Sequence, residues 1–235
     1  MRATRAAVTA AALAVILASC GSSDEASTDS ADDTGDASST EASDVAAGAT
    51  AGECAPVDGS DTVIREFDAE PPFCLDPDAE YSALITTSTG EVTIDLDQAA
   101  APRAVNSFVF LARNNYFDDT VCHRVVQDFV VQCGDPTASG AGGPGYRFDD
   151  ELPLAGEYEY GSIAMANAGP DTNGSQFFII SGDAGVALPP LYSRFGQVPT
   201  DDFGVIESMN ALGPTDGTQS PTEEIRILDV EIIQS

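Results

Sequence analysis

Residues 122–134 read CHRVVQDFVVQCG, and the chain's organisation can be worked outward from them. Two strand-like runs, Val121 to Val126 and Phe129 to Cys133, flank Gln127-Asp128 and predict a β-hairpin. Among apolar neighbours the hairpin carries one fixed cation, Arg124, and near its end an amide, Gln132. A guanidinium in an apolar strand is costly to bury without a partner or a task. Cys122 and Cys133 lie equally far from the expected turn, so they are predicted to face each other across the ladder.

The neighbouring stretches extend this pattern. YSALITT (81–87), a turn at Ser88-Thr89-Gly90 and EVTIDL (91–96) predict an earlier hairpin. In APRAVNSFVFLARNN (101–115), Pro102 suits a first helical turn. Val105, Phe108, Val109, Leu111 and Ala112 form an apolar stripe at helical spacing, which reads as core. Strand-like runs return at SIAMA (162–166), QFFIIS (176–181) and RFGQV (194–198). A short helical stretch near Val205 to Leu212 and a closing strand EIRILDVEII (224–233) complete the chain. Many short strands with two helices predict a mostly antiparallel barrel or sandwich, without the βαβ rhythm of a nucleotide-binding fold.

Composition sets the compartment. Arg2 and Arg5 followed by an apolar run from Ala6 to Leu17 read as an export signal covering residues 1–19, too short to span a bilayer comfortably. The signal ends in Leu17-Ala18-Ser19-Cys20, which resembles the lipobox of bacterial lipoproteins. By that resemblance Cys20 is the lipidated residue of the mature chain. From Gly21 to Gly52 the sequence is mostly Ser, Thr, Ala, Gly and acid, without a base, an aromatic or a Pro. Such a segment cannot bury enough apolar surface to offset chain entropy. As a flexible tether of about thirty residues it reaches ~30 Å. Residues 20–52 are therefore expected to be a lipidated Cys and acidic linker, 53–79 a disulfide-linked lead-in, and 80–235 one domain.

The formal net charge is −30, and all nine basic residues are Arg. That argues against nucleic-acid binding, which depends on neutralising phosphates, and against adhesion to anionic lipid through a basic patch. The cysteines beyond Cys20 number four, and an even count in an exported chain predicts the disulfides Cys122–Cys133 and Cys54–Cys74. Zinc is the competing reading, but the spacings fit no metal-ligand pattern and His123 is the only histidine. A hydrolase would have to use His123, whose neighbour Arg124 points to the opposite face of a strand, so His123 reads as structural. Gly140-x-Gly142-x-x-Gly145 contains Pro144 and precedes no helix, so it reads as a surface loop rather than a dinucleotide fingerprint. Asn173-Gly174-Ser175 is a formal glycosylation sequon within a longer motif.

That longer motif carries a resemblance. His123-Arg124, Phe129-Val130-Val131-Gln132 and Gly134-Asp135 resemble the cyclophilin signature, and GSIAMANAGPDTNGSQFFI (161–179) resembles the second long cyclophilin block. APRAVNSFVFLA, GGPGYRFDDE (142–151) and YSRFGQV (192–198) resemble the pieces between them. The resemblance implies a closed eight-stranded antiparallel barrel capped by two α-helices, with peptidyl-prolyl cis/trans isomerase activity and no cofactor or metal. It implies Arg124 as the catalytic cation. Phe129, Val130, Phe178, Leu188 and Tyr192 would wall a proline pocket. Gln132, Ala166, Asn167, Ala168 and Gln176 would hold the flanking peptide.

Two departures stand out from the family pattern. Cys replaces the usual Phe before His123 and the usual small residue after Gln132, a paired change that one disulfide explains. Val130 stands where Met is common and Tyr192 where His is common, and the pocket loop GVALPPLY (185–192) has no Trp. Proline binding is still expected; cyclosporin affinity is not implied. The expected partners are proline-containing segments of exported proteins and, through Cys20, the membrane. No nucleic acid is expected; a monomer is expected, located outside the cytoplasm on the outer face of the cell membrane. The alternative is a proline-peptide or chaperone module with weak or no isomerase activity.

Overall fold

The computed structural model describes residues 53–235; the expected signal, Cys20 and the acidic linker lie outside the described residues. Eight strands form one sheet: β1 (Tyr81–Thr87), β2 (Gly90–Leu96), β3 (Arg124–Val126), β4 (Val130–Cys133), β5 (Ser162–Met165), β6 (Phe177–Ile180), β7 (Arg194–Gln197) and β8 (Ile227–Gln234). Their order across the sheet is β3-β4-β6-β5-β7-β2-β1-β8, with every pair antiparallel. The helices are α1 (Pro102–Arg113), a single turn α2 (Asp183–Val186) and α3 (Phe203–Ala211).

Pro102 sits in the first turn of α1, where its missing N–H costs nothing. No local side chain caps this end. Instead the Glu151 carboxylate accepts from the Arg103 and Ala104 amides at 3.0 and 2.9 Å, supplying acceptor and negative charge together. The expected stripe of Val105, Phe108, Val109, Leu111 and Ala112 is fully buried. Phe108 lies 5.2–5.6 Å from the rings of Phe117, Phe177 and Phe195, which fixes α1 across one face of the sheet.

Strand alternation sorts the residues of the central strands between two faces. Val125, Val131, Ile179, Ile163 and Phe177 turn toward α1 and the main core. Arg124, Gln132, Phe178 and Ala164 succeed one another across the opposite face, strand by strand. Val130 and Ile180 lie on that face as well.

The expected closed barrel is not formed. The sheet is an open half-barrel, with β3 and β8 as its two edges. Closure would need β8 to pair along β3, but a loop running up to Ile225 lies against β3 instead. Val125 N donates to Gln219 O at 2.8 Å and Cys122 N to Ile225 O at 2.9 Å. One isolated bridge, Val121 to Arg226, spans the gap.

Both expected disulfides are present, Cys54–Cys74 and Cys122–Cys133. With these four cysteines oxidised, no thiolate among the described residues is left for the competing zinc reading. The symmetry argument for the second bridge does not hold, however. The turn contains three residues, with Asp128 in the left-handed region (φ 58°), and Arg124 pairs with Gln132. Cys122 therefore has no place directly opposite Cys133. It reaches Cys133 because the chain leaves the ladder at Cys122-His123 and rejoins it at Val121, opposite Asp135.

Candidate functional site

The one-residue change of register builds the site. In the expected register Arg124 would face Val131; in the observed one it faces Gln132 on the outer face of the sheet. Arg124 Nη1 donates to Gln132 Oε1 at 3.3 Å and Nε to Gln219 Oε1 at 2.6 Å, with the guanidinium 5.6 Å from the Phe129 ring centroid. The amide chain continues as Gln132 Nε2 donates to Gln176 Oε1 (2.9 Å) and Gln176 Nε2 to Gly142 O (2.9 Å). Arg103, Arg194 and Arg226 pair with carboxylates, whereas among the described residues no carboxylate reaches Arg124. Burial pulls the Arg124 pKa below its ordinary value, and the nearby Tyr192 partly offsets this. The group stays charged, held by neutral amides with donors to spare.

Beside it lies an apolar cluster separate from the main core. Val130, Tyr158, Ala164, Phe178 and Ile180 are buried there, with Phe129, Ala166, Val186, Leu188 and Tyr192 packed against them. All five residues expected to wall a proline pocket fall in this cluster. The Phe178 and Tyr192 rings meet edge to face at 5.3 Å. The Tyr158 hydroxyl donates to Tyr192 O (2.7 Å) and accepts from Tyr192 N (3.0 Å), pinning that wall from behind.

An open groove of about 800 Å³ adjoins the cluster and is lined by Gln132, Ala166, Asn167, Ala168 and Gln176, all five residues expected to hold flanking peptide. Ala166 belongs to both regions and joins them. Asn167 Nδ2 donates to Leu191 O at 3.0 Å, tying the groove to the pocket loop. The opposite wall is Gly140 to Arg147, so the segment expected to be a plain surface loop is part of the groove. Asp135 shapes it. Its buried carboxylate accepts from Thr137 N (2.7 Å), Thr137 Oγ1 (2.7 Å), Gly140 N (2.6 Å) and Gly142 N (3.1 Å).

Residues 82–232 match the family described as cyclophilin type peptidyl-prolyl cis-trans isomerase/CLD. The chain belongs to the cyclophilin family. The "Probable peptidyl-prolyl cis-trans isomerase B" of Mycobacterium tuberculosis is 37% identical over 169 residues, covering 65% of this chain and 54% of that protein. The chain thus spans about half the length of that relative. "Peptidyl-prolyl cis-trans isomerase-like 1" of Neurospora crassa is 38% identical over 154 residues, covering 64% of this chain and 93% of that protein. The crystal structure of a cyclophilin type peptidyl-prolyl cis-trans isomerase from Cryptosporidium parvum superposes with a TM-score of 0.60 at 33% identity, covering 66% of this chain and 99% of that one.

Several contributors to this cyclophilin's site escaped sequence reasoning. Gln219 lies 95 residues from Arg124 in an exposed loop without periodicity, and Tyr158 acts on Tyr192 from 34 residues away. His123, expected to be structural, is half-buried; burial lowers its pKa, against the pull of Asp135. Asn173 of the sequon is fully buried and donates to Asp149 O (3.2 Å) and Asp150 Oδ1 (2.9 Å), so the folded site offers no glycan acceptor.

Proposed function

We propose that this cyclophilin isomerises X–Pro bonds in exported polypeptides, assisting their folding outside the cytoplasm. The observation that carries the reading is Arg124: a partly desolvated guanidinium, free of any carboxylate among the described residues, beside a separate apolar cluster. An X–Pro bond resists rotation because the nitrogen lone pair is delocalised into the carbonyl, with a barrier of ~20 kcal/mol. A cation that interacts better with the twisted, pyramidalising imide than with either planar isomer lowers that barrier. In a dry groove such an interaction is stronger than in water. The Phe129–Val130–Phe178–Leu188–Tyr192 wall would hold the pyrrolidine ring while the preceding carbonyl swings. Gln132, Gln176 and the backbone near Ala166 to Ala168 would hold the chain on either side. This chemistry needs no nucleophile, metal or cofactor.

The extracytoplasmic assignment, with lipidated Cys20 anchoring a monomer to the outer face of the membrane, belongs to the same proposal. It rests on the lipobox resemblance, and the two disulfides support it, since such bonds persist in oxidising compartments.

The test is a protease-free isomerase assay, by NMR exchange on a proline-containing peptide, of wild type and Arg124→Ala. Removing one preorganised donor of charge is expected to cost about 10²-fold or more in kcat. Equal turnover by the two proteins would refute Arg124 as the catalytic cation. Peptide binding by wild type without turnover would favour the binding-module alternative.

A further inference from the structure

Residues 53–79 precede the family match at 82–232, yet they pack along α1 and touch the back of the groove wall at Phe67. Ser60 N donates to Arg113 O (2.7 Å) and Ile64 N to Asn114 O (3.0 Å), so this strap begins at the C-terminal end of α1. Cys74 N donates to Asn106 Oδ1 at 2.7 Å, and Leu75 enters the core. Between these points Phe67 is 2% exposed and packs on Phe110 (4.9 Å between centroids) and Tyr146 (6.4 Å). The Cys54–Cys74 bridge closes the loop that carries it.

At Phe67 the strap meets the back of the groove wall. Phe67 N donates to Pro144 O at 2.9 Å. Gly145 has φ +94°, and a Cβ there would stand 2.4 Å from Phe67 O, so only glycine lets the two backbones pass. Pro144, Gly145 and Tyr146 all line the groove on their other side. Glu70 pairs with Arg103 at 2.7 and 3.0 Å, and Arg103 in turn reaches Asp149 at 2.7 Å, which pins the far end of the same segment. A wall built on Gly140, Gly142, Gly143 and Gly145 has few side chains with which to hold its own shape.

We propose that Phe67, with Glu70 behind it, is a positioning residue: the strap sets the Pro144–Tyr146 wall and thereby the grip of the groove on substrate residues beyond the X–Pro pair. This rests on the groove being the peptide-holding site. It assigns a specificity role to a segment outside the family's own boundaries.

The test compares a short capped X–Pro peptide with one extended by several residues on both sides, for wild type, Phe67→Ala, Phe67→Leu and Glu70→Gln. All are assayed well below their melting temperatures, with circular dichroism confirming the fold. Wild type should favour the extended peptide. Phe67→Ala should lose about tenfold of that preference through KM, with kcat on the short peptide kept, as for a wall displaced by a fraction of an ångström. Phe67→Leu should recover most of the loss, and Glu70→Gln, which opens no cavity, should show a smaller loss in the same direction. A wild-type preference unchanged in both Phe67→Ala and Glu70→Gln would overturn the strap's role while leaving the groove's. No preference in wild type would remove the groove reading, and this proposal with it.

Discussion

Asp135→Asn exchanges one carboxylate oxygen for an amide nitrogen at a site with only donors around it. Oδ1 accepts from Thr137 N and Thr137 Oγ1, and Oδ2 from Gly140 N and Gly142 N. The better amide orientation keeps its oxygen on the two glycine amides, and the Thr137 hydroxyl can rotate to accept from the new NH2. Thr137 N then loses its acceptor. Because Thr137 is exposed, water offsets part of that loss, leaving about 1 kcal/mol from the low end of the range for an unmade bond. The glycine bonds lose their charge assistance, about another 1 kcal/mol. The sum, about 2 kcal/mol, corresponds to a fall of about 4–8 °C in Tm for a domain of this size.

The pH dependence has a definite sign. Burial pushes the Asp135 pKa up, but the Thr137, Gly142 and Gly140 hydrogen bonds outweigh it and leave it below the ordinary aspartate value. A group with a depressed folded pKa contributes its stability above the unfolded value, near 3.9, and loses it as pH falls through the folded one. The Tm gap between wild type and Asp135→Asn, followed by calorimetry, should be constant from pH 5 to 7 and narrow in stronger acid. Because Gly142 O holds Gln176, KM for peptide should rise in the variant. A gap under 1 °C at neutral pH, or one unchanged in acid, would refute the reasoning.

Two further outcomes can be checked directly. Gln219→Met keeps length but removes the acceptor at 2.6 Å from Arg124 Nε; kcat should fall about tenfold with little change in KM, and the Arg124 Nε–H should exchange faster with solvent by NMR. An unchanged exchange rate would show that Gln219 does not hold the guanidinium. Full-length Cys20→Ser, expressed in a bacterium that lipidates exported proteins, should move from the membrane to the soluble fraction; retention on the membrane would exclude lipid anchoring.

What the sequence disclosed here, and what it hid, divides along the range of the physics. Period-2 and period-3.6 patterns are local, so β1, β2 and α1 fall where YSALITT, EVTIDL and the Val105–Ala112 stripe place them. Most residues expected to wall the pocket and line the groove stand in two long contiguous motifs, with Leu188 and Tyr192 in the loop that follows them. The hairpin register was not, because a two- or three-residue turn turns on Asp128 adopting positive φ, which Gln-Asp-Phe does not announce. The Cys122–Cys133 bridge forms, though the two residues are not directly opposite in the ladder. The break in the ladder at Cys122-His123, rather than symmetry about the turn, brings the two buried cysteines together. The order of residues 53–79 was hidden as well, since Phe67 and Leu75 are isolated apolar residues without a period.

Barrel closure was the largest miss, and it bears directly on the chemistry. An edge strand must satisfy or shield its outward N–H groups. In β3 that need is met at Val125 by Gln219 O, from a loop, rather than by β8. The residue that covers the edge through its backbone also reaches Arg124 through its side chain. Had β8 zipped onto β3, Val125 would have had a strand partner and no loop would lie where an amide oxygen can take the Arg124 Nε–H. The open edge thus leaves a cation fixed at Nε by a neutral acceptor, with Nη donors left to face a substrate. A carboxylate at position 219 would fix it equally well but neutralise it. Gln219→Glu should therefore keep the fold and the geometry while losing more turnover than Gln219→Met. If the Glu variant matched wild type in kcat, the argument that Arg124 works because no carboxylate answers it would fail.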